Sequence, residues 1–180
     1  MKKGQMTEVG DFKQEQQGVA LAMASALATA ILVLGAVAMT NATAETFVAR
    51  LQFAIRADVF VIIWLGAAIA NVARLRFFSE PDIGGSSADA GSDKVRIAGS
   101  ILQNTFEQVG LAIVAHMIVA ATFQRSNALI VALVCLFAIG RILFWAGYRY
   151  GAKGRAFGFA LTFYPTVLAL LTSATAILFA

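Results

Sequence analysis

Five stretches of this chain stay apolar long enough to cross a bilayer, and its polar positions gather mostly between them. A hydrocarbon core of about 30 Å needs roughly 20 helical residues. The spans fall near residues 18–40, 50–78, 96–123, 127–149 and 156–179, with the second and third continuing past the membrane as helix. Between those two lies "SEPDIGGSSADAGSDK", rich in Gly, Ser, Asp and Pro and without periodicity, which predicts a loop over 79–95. The predicted fold is all-α, a transmembrane bundle of four core helices plus one N-terminal transmembrane helix. The expected units are a polar segment at 1–17, the extra helix at 18–43 and a four-helix membrane domain at 48–180. No internal repeat suggests a transporter built from inverted halves.

Composition agrees with the pattern. Of 180 residues, 59% are hydrophobic and only 13% charged, against about 25% charged in soluble domains. The net charge of +4 therefore reads as a membrane-orientation signal, and no nucleic-acid partner is expected. With the N-terminus placed in the cytoplasm, Lys2, Lys3, Lys13, Arg74, Arg76, Lys94, Arg96, Arg149, Lys153 and Arg155 fall at cytoplasmic helix ends. Only Arg50, Arg56 and Arg125 fall outside. The first span, followed by "NATAE", also fits a cleavable signal peptide. Its long, acid-bearing leader and the length of its apolar run favour a retained helix. The single cysteine, Cys135, lies within an apolar run and forms no internal disulfide.

One polar cluster stands out. In "SILQNTFEQVGLAIVAH", Ser100, Gln103, Asn104 and Glu107 share a helical face with Arg96. His116 falls on the opposite face, so a Glu–His pair is excluded, no metal-ligand spacing surrounds it, and it reads as a helix-packing or outer-leaflet residue. Counting inward at 1.5 Å per residue puts Glu107 roughly 13 Å deep on one span and Arg141 roughly 12 Å deep on the next. Ionisable groups at such depth face the bundle interior and pair. The pair either fixes helix register or belongs to a pocket for a charged ligand. Gln103, Asn104, Gln108, Tyr148 and Arg155 supply more polar groups than one ion pair needs. Arg141, Phe144 and Tyr148 form one stripe. Arg56 and Asp58, near the outer end of the second span, read as a helix-end charge pair.

"NTFE" on one span, followed on the next by Arg141, Gly147, Tyr148 and Arg155, resembles the MAPEG family, membrane-associated proteins in eicosanoid and glutathione metabolism. The likeness runs from about Val48 to the C-terminus and suggests a bacterial-type member with an extra N-terminal span, placed in the inner membrane. Such a resemblance implies a homotrimer in the bilayer, with glutathione as co-substrate held between subunits at the cytoplasmic side and no metal. By position, Asn104 and Glu107 match the family's Asn-x-x-Glu, whose carboxylate takes the γ-glutamyl ammonium. Tyr148 matches a ligand-contacting tyrosine, and Arg155 an arginine beside the thiol, the catalytic assignment. Arg74 and Arg76 resemble basic residues that close the pocket, and Arg141 and Gln108 complete the expected binding set. The sequence departs from the family pattern at Ser100, Phe144 and Gln108.

The implied activity is a glutathione-dependent transferase or peroxidase acting on lipophilic electrophiles. A guanidinium beside the sulfur favours thiolate, the nucleophilic form. Two other readings use the same residues. The polar cluster can serve only to organise an oligomer. Glu107 can also drive a proton-coupled exporter of lipophilic cations, against which the neighbouring arginines argue by repelling a cation.

Overall fold

The computed structural model describes residues 3–40, 43–85 and 91–179, with side chains from Phe12 onward. Lys2, the tip of the 79–95 loop, and Asn41 and Ala42 of the cleavage-like stretch lie outside the described residues. Six α-helices and one 3₁₀ turn make up the described chain: α1 (Lys3–Ala38), α2 (Phe47–Ala57), α3 (Val59–Phe77), α4 (Asp93–Thr122), α5 (Asn127–Gly147), the turn Tyr148–Tyr150 and α6 (Gly151–Leu178). The protein is an all-α transmembrane helix bundle. α1 begins well before the polar-to-apolar boundary at residue 18: "KGQMTEVGDFKQEQQ" holds no proline, and the helix runs through its two glycines.

α2 runs into α3 through Asp58, whose backbone N–H still reaches the Ala54 carbonyl at 2.9 Å, so the two make one span. Asp58 is buried and its carboxylate meets His116 Nδ1 at 2.6 Å. Arg56, in the last turn of α2, is exposed and makes no such pair. The expected Arg56–Asp58 pair is thus corrected. Two positions apart on a helix, their side chains diverge, whereas α4 brings His116 directly to Asp58. At the same end, buried Arg50 donates to the Ala120 carbonyl at 2.8 Å and to that of Glu45, neutralising the last turn of α4.

Helix ends and loops follow local chemistry. Thr46 caps α2 through the Ala49 amide, and Ser92 caps α4 through Val95. In the α3–α4 loop, Asp82 accepts from the Ser79 hydroxyl at 2.5 Å and the Ser92 amide at 2.7 Å. Its carboxyl is held below the usual range by the Ser79 hydroxyl first, then by Ser92 and the Arg76 charge, against a smaller opposing effect of burial. Gly85 and Gly91 take φ of 63° there, the left-handed region that suits glycine.

α5 and α6 form an antiparallel hairpin whose backbones nearly touch. A β-carbon at Gly158 would lie 2.2 Å from the Phe144 nitrogen, and one at Gly147 2.2 Å from the Gly154 carbonyl oxygen. The spacing of Gly154 and Gly158 on α6 is the small-residue pattern that lets membrane helices approach closely. α1 lies parallel to α6, with Gly18 under the Lys153 stem at one end and Leu34 beside Leu168 and Ala169 at the other. Ala26 and Ala30 on α1 are fully buried. Elsewhere the surface is apolar: Phe60, Ile63, Leu171 and Ile177 are all more than half exposed, as lipid-facing residues are.

Candidate functional site

The α5–α6 corner builds the site. α5 carries Arg141 and Phe144 on one stripe that Tyr148 continues in the tight turn Tyr148–Tyr150, and this turn, followed by Gly151 at φ 76°, swings Arg155 back alongside. The result is a column of two aromatic rings flanked by two arginines. The Arg141 guanidinium lies 4.5 Å from the Phe144 ring centroid, Phe144 meets Tyr148 edge-on at 5.6 Å, and the Arg155 guanidinium lies 4.5 Å from the Tyr148 ring. Each cation–aromatic contact contributes roughly 0.5–2 kcal/mol, more when water is excluded.

Arg141 is fully buried at the inner end of the column. It donates to Asn104 Oδ1 at 2.9 Å and to Thr162 Oγ1 at 2.7 Å, joining α4, α5 and α6. Its Nε finds no partner among the described residues. Asn104 is thereby oriented toward the column.

A cleft of about 380 Å³ opens at the outer end. Ser100 and Asn104 line it from α4, Phe144 and Tyr148 from α5 and the turn that follows it, and Arg155 from α6. Three of the sequence-predicted residues, Asn104, Tyr148 and Arg155, therefore converge on one space, with Arg141 directly behind Asn104.

The other predicted residues sit apart from it within one chain. Glu107 lies about 60° around α4 from Asn104. It is exposed, beside the cleft rather than in it, and its carboxylate accepts from Gln103 Nε2 at 2.9 Å. The expected Glu107–Arg141 pair does not form within the chain: Asn104 stands nearer the bundle axis and takes the guanidinium. Gln108 is buried one turn beyond Asn104, about 40° around α4 from it, its Oε1 without a partner among the described residues. Arg74 bonds Asn71 at 3.0 Å, and Arg76 stands near Asp82, both at the loop end of α3. Arg74 borders a separate recess with Phe78, Ser79 and Lys94.

Sequence reasoning missed Thr162, the glycine row and the contribution of α1. Thr162 carried no signal, but Gly140, Gly147, Gly154 and Gly158 recur at spacings of seven and four, a visible mark of close helix approach. No group of three or more His, Cys, Asp or Glu side chains suited to a metal exists among the described residues.

Fold and site together define a multi-pass integral membrane protein with a cationic, aromatic cleft at one end of its bundle. The sequence pattern of the MAPEG family matches residues 51–175, so the chain belongs to the MAPEG family. That membership supports a membrane role of the glutathione-related transferase or peroxidase kind, in a family whose members are generally oligomeric. No curated protein and no solved structure matches the chain significantly.

Proposed function

We propose that the protein is a glutathione-dependent transferase or peroxidase of the bacterial inner membrane, acting on lipophilic electrophiles, with its N-terminus and its glutathione site toward the cytoplasm. The convergence of Asn104, Tyr148 and Arg155 on one cleft carries this reading. Arg155, steadied by the Tyr148 ring, stabilises the thiolate of bound glutathione. The sulfur then donates its electron pair to the electrophilic carbon. With a chlorinated aromatic, a C–S bond forms, chloride leaves with the C–Cl pair, and the thiol proton passes to solvent.

Glu107 supports a homotrimer. An exposed carboxylate at membrane depth, met only by the neutral Gln103 amide among the described residues, is costly without a cationic partner, and its place beside the cleft suits an ammonium held against an adjoining protomer. Arg74 and Arg76, at the same end, fit an outer ring of cations for the tripeptide's carboxylates. Against catalysis stands one observation, that Arg141 is already bonded to Asn104 and Thr162, which favours a purely organising role for that part of the cluster.

Calorimetric titration of the purified protein with glutathione, joined to conjugation of a chlorinated dinitroaromatic, tests the reading. Saturable binding is expected, with Arg155→Ala lowering kcat roughly 10²–10³-fold, the usual effect of removing one charge-stabilising donor. Absence of both binding and a rise in Tm at millimolar glutathione would overturn it.

A further inference from the structure

We infer that α1, a helix outside the family-matched region, forms the acceptor side of the cleft, with Met23 and Val19 selecting the lipophilic electrophile. The inference rests on the glutathione reading above and extends it to the second substrate. The family pattern begins at residue 51, whereas α1 ends at Ala38. Yet Val19 and Met23 line the same cleft as Asn104, Tyr148 and Arg155.

The cleft is divided in character. Its polar groups come from α4, the turn after α5 and the start of α6; the α1 side and Phe159 are apolar. Val19, Met23 and Phe159 are only half-buried, so part of each side chain remains available to a ligand. A mobile α1 could not select by shape, but this one is fixed: Ala26 and Ala30 are fully buried, and the Lys153 stem lies across Gly18, where a β-carbon would come within 2.6 Å. Among the described residues, α1 contacts α5 and α6 but not α4. The cleft therefore opens sideways between α1 and α4, the route for a molecule dissolved in the bilayer.

The chemistry on that side suits a compact apolar or aromatic acceptor. A thioether is polarisable and rotates about several bonds, so Met23 moulds to varied rings and contacts them through sulfur. Glutathione, a charged tripeptide, gains nothing from Val19 and Met23 and stays with the arginines. Changing the apolar wall by a methylene or two alters discrimination about 10–200-fold.

The test uses the full chain in lipid nanodiscs. Met23→Ala should raise kcat/KM for a bulky chlorodinitronaphthalene relative to the single-ring chlorodinitrobenzene about tenfold or more. Met23→Trp should lower that ratio at least as much, and glutathione Kd should stay within twofold in both. In Met23→Cys on a Cys135→Ser background, S-hexylglutathione should slow alkylation by an apolar maleimide about tenfold, and glutathione alone should not. If glutathione raises Tm while neither the ratio nor the alkylation rate responds, the α1 assignment falls and the glutathione reading survives. If neither glutathione nor S-hexylglutathione binds the wild-type chain, both fall together.

Discussion

Replacing Gly158 with alanine probes the joint on which the site depends. The added methyl would lie 2.2 Å from the Phe144 nitrogen and 2.7 Å from the Gly140 carbonyl oxygen. Both are backbone atoms, with no rotamer to relieve the clash. Ordinary contact needs about 3.5 Å, so α5 and α6 must part by about 1 Å. Overpacking of this kind costs about 1–3 kcal/mol. It also acts at a distance, since Phe144 and Tyr148 follow one helix and Arg155 stands on the other. A misplacement of about 1 Å can reduce turnover about 10²-fold. Thermal unfolding in detergent followed by a conjugation assay at saturating glutathione should show both losses. Gly66→Ala is the control, since a β-carbon at Gly66 would meet nothing within 4 Å and should gain slightly from helix propensity, by up to about 1 kcal/mol. A Gly158→Ala protein that matches wild type in Tm and turnover would refute the claim that backbone apposition sets the site.

Other outcomes follow from the buried polar contacts. Arg141→Ala removes two charge-assisted hydrogen bonds and leaves a cavity among α4, α5 and α6; a loss of about 3 kcal/mol or more is expected by chemical denaturation. Asp58→Ala strips buried His116 of the carboxylate that meets its ring and should cost about 3 kcal/mol, whereas the double variant Asp58→Ala/His116→Leu should recover part of it. Asp82 titrates below its unfolded value of 3.8, so its contribution is complete above that pH and disappears as pH falls through the lower folded value. Hydrogen exchange at the Ser92 amide, corrected for its intrinsic rate, should accelerate only as pH falls below 3.8, and Asp82→Asn should abolish that dependence.

Much of the architecture was readable from order alone. Runs of apolar residues near 20 long have few folded alternatives in lipid, because every backbone group must be satisfied within the helix. The spans therefore fell within a few residues of α2–α6, with the largest difference at the start of α1, where polar residues continue the helix beyond any membrane. The helical rise likewise put Glu107 and Arg141 at comparable depth, and the Arg141–Phe144–Tyr148 stripe became part of the observed column. Depth does not specify azimuth. Asn104 and Glu107 are one turn apart, but the former faces the bundle and the latter its exterior, a choice made by packing.

The chain's linear order thus determined its helices, its membrane character and which residues carry charge at depth, since these depend on hydropathy and period. Only the tertiary structure decided the partners. Thr162 reaches Arg141, His116 reaches Asp58, and α1 walls a cleft assembled from residues more than seventy positions away. Such pairings depend on how closely backbones approach and which way each helix is rotated, and both are settled by contacts between segments far apart in the chain.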